Sequence, residues 1–191
     1  MWRGPIEVTL QEKLVLQRVE LDAIHDIYRY IKLERLRGGH GGVAMSFPVP
    51  TNETERLAAV RTLNILDTAP EIDYDEIGEL AAEVCQCPVA YISLMSDDRL
   101  WLKAKYGLPP DFNQCPREIS FCATTVCGTE MVVASDLRQD ARFSEIPFVT
   151  GEPYFKFYCG VPLITVEGYA LGTLCVVDFE PRQLTFNRPN R

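Results

Sequence analysis

Near its end the sequence carries two β-rich runs, Phe157 to Thr165 and Ala170 to Asp178, separated by a turn containing Glu167-Gly168. Two such runs joined by a short glycine-bearing turn pair antiparallel, so the chain closes on a β-hairpin. The residues just upstream supply what such a hairpin needs beside it. Ser120, a good N-cap type, opens a short helix that Gly128 ends, and Met131 to Asp136 reads as a strand. Asp136 to Pro153 is polar and turn-rich, with Arg138, Asp140, Arg142 and Glu145, and it leads into Tyr154-Phe155-Lys156-Phe157-Tyr158. A connection of that length folds over a sheet as a lid. Being polar, it is expected to bury little apolar area and to exchange between looser and tighter states.

The preceding half reads as helices succeeded by short strands. Asn52-x-x-Glu55 resembles a capping box and starts a helix to about Leu63, and Pro70 stops any helical continuation beyond it. A second helix begins near Asp73 and runs to Cys85. Its Ile77, Leu80, Ala81 and Val84 fall at i, i+3, i+4 and i+7 and predict one buried face. Val89 to Ser96 and Leu100 to Tyr106 are the first two strands, turned by Ser96-Asp97-Asp98-Arg99. Helices ahead of antiparallel strands make the fold class α+β. At the start, Leu10, Leu14, Leu21, Ile24, Tyr28 and Ile31 mark an amphipathic helix over residues 6 to 36. The same stripe fits a coiled-coil seam joining a homodimer, or a face packed on the chain's own domain. Four glycines among Gly38-Gly39-His40-Gly41-Gly42 then break it. The expected divisions are a helix in 1–37, a Gly/Pro linker in 38–51, one domain in 52–182 and a tail in 183–191.

Charge and histidine content exclude several classes of function. Of 19 basic and 27 acidic residues, seven and six fall in 1–44, leaving 12 and 21 in the rest, a net charge of -9. Phosphate backbones need a basic face, so nucleic acid is not an expected partner. There is no run of about 18 apolar residues and no signal-peptide core, which predicts a soluble cytoplasmic protein and no membrane partner. No histidine comes after His40, so the domain has neither a histidine metal cluster, nor a Ser-His-Asp triad, nor a Cys-His pair. His25 reads as a solvated helix residue. The glycines complete neither phosphate-loop pattern. Seven cysteines without paired C-x-x-C spacing read as reduced thiols, mostly buried. Asp136 and Asp140 read as turn and strand-end carboxylates rather than an acid-base pair.

Several motifs in one order carry a family resemblance. Pro116-Arg117-Glu118-Ile119-Ser120-Phe121-Cys122, Val133-Ala134-Ser135-Asp136, Asp140-Ala141-Arg142-Phe143, Phe157-Tyr158-Cys159-Gly160-Val161-Pro162-Leu163 and Leu171-Gly172-Thr173-Leu174-Cys175-Val176-Val177-Asp178 resemble a GAF domain. The subtype resembled is the one joined to bacterial sensor histidine kinases and diguanylate cyclases. Glu55-Arg56-Leu57, Leu66-Asp67-Thr68 and Asp98-Arg99-Leu100-Trp101-Leu102-Lys103 extend it, so it spans about Asn52 to Arg182. Met45 falls where such domains begin.

The resemblance implies an antiparallel sheet of five or six strands, with helices on one face and a lidded ligand cleft on the other. It also implies a non-catalytic sensory module in signal transduction, with no cofactor. Its partners would be an unknown small molecule and a separate kinase or cyclase output protein. The lack of histidine removes the bilin-holding Cys-His pair and the usual haem ligand of related GAF domains, and the Asn-Lys pair of cyclic-nucleotide GAF domains is absent. Carried over by position, the cleft is expected to be walled by Trp101, Phe121, Phe143, Phe155 and Tyr158, with Cys122 beside them. Lys103, Ser120, Asp136 and Arg138 are the expected polar contacts. One enzymatic alternative stands. Thr125-Val126-Cys127-Gly128-Thr129 is similar to a segment of free methionine sulfoxide reductases, which are also GAF folds, and Cys115, Cys122 and Cys127 would form its thiol relay.

Overall fold

The computed structural model describes residues 47–183. The expected N-terminal helix and its coiled-coil seam, most of the linker and most of the tail lie outside the described residues. Six strands make one antiparallel sheet: β1 (Val89–Met95), β2 (Arg99–Tyr106), β3 (Gln114–Pro116), β4 (Val132–Ala134), β5 (Phe157–Ile164) and β6 (Ala170–Asp178). Their order across the sheet is β3-β2-β1-β6-β5-β4. The hairpin read from the sequence is β5 with β6, placing Tyr158 opposite Val177 and Gly160 opposite Cys175. Strand β1 pairs on both sides and every residue in it is buried. That double burial explains why Val-Ala-Tyr-Ile-Ser-Leu-Met is nearly all apolar instead of alternating.

Two helices, α1 (Glu53–Thr62) and α2 (Ile72–Cys85), lie on one face. The capping box at Asn52 does not form, since Asn52 makes no side-chain cap bond. The first turn of α1 is tied down by Glu53, which accepts from Arg56 Nε at 2.8 Å and also pairs with Arg117.

The apolar stripe of α2 faces outward, against expectation. Ile77, Leu80 and Val84 are 46%, 58% and 73% exposed, whereas Gly78 and Ala82 are buried. Ala82 packs with Cys87, Ala90, Phe157, Cys159 and Val176. Ala82 is the fully buried residue through which the helix meets the sheet, and that contact outranks hydrophobic periodicity here.

The other face carries the larger core. It is covered by a 3₁₀ turn at Arg117–Ile119, a short helix α3 (Cys122–Thr125), and the connection from Asp136 to Tyr158 with its own short helix α4 (Pro147–Thr150). This connection is not the weakly anchored lid expected from its polarity. Leu137, Phe143, Ile146, Phe148, Val149 and Phe155 are all buried in the cluster that includes Val89, Tyr91, Leu100, Leu102 and Val177. Fully burying such a side chain contributes roughly 1.5–3 kcal/mol, so the polar residues only line the outside of an apolar plug. The turns are held locally: Asp136 Oδ1 accepts the Arg138 N–H at 3.1 Å and Asp140 Oδ1 accepts the Arg142 N–H at 3.0 Å.

Candidate functional site

The covered face holds a small cavity of about 30 Å³ between β1, β2 and the lid. Its lining is apolar, with Leu100, Leu102, Leu108, Phe112, Phe148 and Phe155 as walls, and Tyr91 and Ser120 as its hydroxyl-bearing members. That volume holds about one water-sized guest, so the site is nearly filled by the protein's own side chains.

Phe121 is the hub of the filling. Its ring lies 5.8 Å from Phe143 at 90°, 6.3 Å from Phe148, 6.4 Å from Phe155 and 5.3 Å from Tyr158. Edge-to-face pairs of this kind contribute about 0.5–1.5 kcal/mol beyond area burial. Ser120 holds the approach to α3, its Oγ accepting the Cys122 N–H at 3.1 Å; α3 itself begins two residues later than the sequence predicts.

Behind Phe121 lies a buried polar cluster. Tyr158 is completely buried and its hydroxyl sits 2.6 Å from Thr125 Oγ1. Gly160, two residues along β5, makes this possible: a Cβ there would meet the Tyr158 hydroxyl at 2.1 Å. Cys122 is wholly buried and its Sγ is 3.1 Å from Thr173 Oγ1, 3.7 Å from the Tyr158 hydroxyl and 3.8 Å from that of Tyr91. Burial alone would push the Cys122 thiol up, but its hydrogen bonds with Cys175, Thr173, Tyr158 and Tyr91 outweigh it and bring it down to about 6. Burial drives the thiols of Cys115 and Cys175 upward.

The structure therefore brings together six of the predicted site residues: Ser120, Phe121, Cys122, Phe143, Phe155 and Tyr158. It separates the other four. Trp101 packs on the helical face with Val60, Leu94 and Leu171. Lys103 is also there, donating to Thr68 Oγ1 at 2.9 Å and the Ala69 carbonyl at 3.1 Å and pairing with Glu71. The alternation of strand β2 puts Leu100 and Leu102 in the cavity and these two opposite.

Trp101 and Lys103 instead line a polar cleft of about 430 Å³ with Asp67, Arg99, Lys105 and Asn113. Its cations are paired within the protein, Arg99 with Asp67 at 2.6 Å and Lys105 with the Pro110 carbonyl at 2.6 Å. Asp136 and Arg138 pair at 2.7 Å at the start of the lid, and neither lines the cavity.

Sequence reasoning missed Tyr91, Phe112, Phe148, Thr173 and Cys175. Period-two alternation in β1 and β6 could have assigned Tyr91, Thr173 and Cys175 to one face; Phe112 and Phe148 lie in connections with no such signal.

All seven cysteines are free thiols. Cys127 is exposed and its Sγ donates to the Ala123 carbonyl at 3.2 Å, while the sulfur beside Cys122 is Cys175, at 3.8 Å. Among the described residues no three His, Cys, Asp or Glu side chains gather as metal ligands, and no helix is long and apolar enough to cross a membrane.

The chain is 42% identical over 135 residues to a cyclic di-GMP phosphodiesterase of Pseudomonas aeruginosa, covering 71% of this chain and 23% of that protein. It thus spans about a quarter of the relative's length. Among solved structures it is similar to the GAF domain of an Acinetobacter phosphoenolpyruvate-protein phosphotransferase, at 18% identity and a TM-score of 0.49, covering 69% of this chain and 80% of that one. It is similar too to free methionine-R-sulfoxide reductase of Neisseria meningitidis in complex with its substrate, at 16% identity and a TM-score of 0.49, covering 74% and 84%. The family model described as GAF domain matches residues 71–190, most of the chain, and the chain belongs to that family.

Proposed function

We propose that this chain is a sensory GAF module whose lidded face takes a small, largely apolar ligand and passes the resulting change to an output enzyme. The observation that carries this reading is the small cavity between sheet and lid, apolar except for two hydroxyl-bearing residues, Tyr91 and Ser120. Such a site has the composition of a small-molecule pocket. At about 30 Å³ it has room for little more than a water-sized molecule, so a larger ligand enters only if the lid shifts, and ligand and lid movement are thermodynamically linked. The identity shared with a cyclic di-GMP phosphodiesterase supports an output in second-messenger turnover, carried elsewhere in a longer chain or on a separate protein. A homodimer through residues 6–36 would give the signal a route. The module itself performs no catalysis in this reading.

The test is a thermal-shift screen of the reduced, full-length chain against small apolar compounds. A ligand at 100 times its dissociation constant adds about 2.7 kcal/mol. We expect at least one compound to raise the melting temperature and Leu102→Trp, which fills the cavity, to remove the response. A folded wild-type protein that no compound stabilises would instead favour a module that binds only proteins.

A further inference from the structure

We propose that Cys122 and Cys175 are an intramolecular redox couple that a hydroperoxide converts to a disulfide. The two residues are 53 apart in sequence, yet α3 and β6 hold their sulfurs 3.8 Å from each other. A cysteine serving only as a small hydrophobe sits among carbon atoms. Cys122 does not: besides Thr173, Tyr158 and Tyr91, the Ser93 hydroxyl lies 3.8 Å from its sulfur. Hydroxyl donors around a buried sulfur stabilise the thiolate, which is the nucleophile in thiol oxidation. The downward displacement of the Cys122 thiol agrees with that arrangement. Cys175 is the matching resolving thiol, kept protonated by burial and already placed against its partner.

The cavity comes within one side chain of the couple. Tyr91 lines the cavity on one side and its hydroxyl touches Cys122 on the other. The cavity admits a molecule about the size of water, and hydrogen peroxide is little larger.

The reaction balances in two steps. The Cys122 thiolate attacks one oxygen of the hydroperoxide; an S–O bond forms, the O–O bond breaks, and the departing oxygen leaves as water or an alcohol after taking up a proton. Cys122 is then a sulfenic acid. The Cys175 sulfur attacks the Cys122 sulfur; the S–S bond forms, the S–O bond breaks, and the hydroxyl leaves as water with the Cys175 proton. Two thiols are oxidised and one hydroperoxide is reduced. The sulfurs close to about 2.05 Å, which pulls α3, and Phe121 before it, against β6. The couple does not depend on the ligand-binding role proposed for the cavity, whose test uses reduced protein.

The full-length chain is treated with hydrogen peroxide, unfolded, alkylated and mapped by mass spectrometry. We expect two of the seven thiols to escape alkylation, the intact mass to fall by two hydrogens, and the peptides of Cys122 and Cys175 to be joined. Cys127→Ser should leave the cross-link intact, whereas Cys175→Ser should hold Cys122 as a sulfenic acid that dimedone traps. A wild-type map in which oxidation falls on exposed Cys127 alone, or joins other cysteines, overturns the proposal, and it does so whether or not the variants fold.

Discussion

Glu53 and Arg117, 64 residues apart, form an ion pair that fastens the first turn of α1 to the segment leading into the cavity. The same carboxylate holds Arg56, whose guanidinium is completely buried and also donates to the Met95 carbonyl at 2.8 Å and the Ala170 carbonyl at 3.3 Å. Phe47 lies over the Arg117 guanidinium at 5.2 Å, a favourable placement for a cation against a ring face. One carboxylate thus serves two buried cations, and it spans helix, sheet and lid approach.

The first prediction concerns that carboxylate. Burial by itself would raise its pKa, but the hydrogen bonds and charges of Arg56 and Arg117 outweigh it and hold Glu53 at about 2 against an ordinary 4.5. A depressed carboxylate contributes stability above its unfolded pKa and loses it as pH falls through the folded one. Discounted for solvent screening of a partly exposed carboxylate, the contribution is on the order of 1–2 kcal/mol; it is present above pH 4.5 and fades toward pH 2. Glu53→Gln should lower stability at pH 7 by a similar amount. Urea melts at pH 7 and pH 3 check this: a smaller wild-type-to-variant gap at pH 3 is expected, and an unchanged gap would refute the linkage.

Gly160 is the second test. Its missing Cβ is the space that the Tyr158 hydroxyl occupies. Gly160→Ala should displace Tyr158, break its bond to Thr125 and cost about 1–3 kcal/mol by overpacking. Tyr158→Phe leaves the ring and removes only the hydroxyl, so it should cost nearer about 1 kcal/mol. Denaturant titrations of both variants compare the two; an alanine variant as stable as wild type would mean that Tyr158 has an equally good alternative position.

The third prediction concerns the lid. The Leu137 N–H donates to the Lys156 carbonyl at 2.7 Å and the Phe155 N–H to the Phe148 carbonyl at 2.9 Å, both next to buried aromatic side chains. Their amides should exchange far more slowly than those of the exposed turn around Glu167 and Gly168. Hydrogen exchange read by mass spectrometry measures this directly. Lid peptides exchanging as fast as the β5–β6 turn would restore the loosely anchored lid that polarity alone suggests.

Residue order was enough to specify the α+β class and the β5–β6 hairpin, because strand alternation and turn residues act over a few neighbouring positions; the side of the sheet the helices take followed from the resemblance of the motifs to GAF domains. That resemblance also grouped Ser120, Phe121, Cys122, Phe143, Phe155 and Tyr158, together with Trp101, Lys103, Asp136 and Arg138. Long-range packing settled the rest. Trp101 and Lys103 sit next to Leu100 and Leu102 in the chain but on the opposite face, since each step along a strand reverses the side chain. The outward turn of Ile77, Leu80 and Val84 was set by the packing of Ala82 against Ala90, Phe157 and Val176 of the sheet. The lid reads as polar because charged and turn residues are interspersed among its anchors, although Phe143, Phe148 and Phe155 bury the area that fixes it. Cys122 meets Cys175 only once β6 is paired between β1 and β5; a contact across 53 residues has no local pattern, and the assembled sheet creates it.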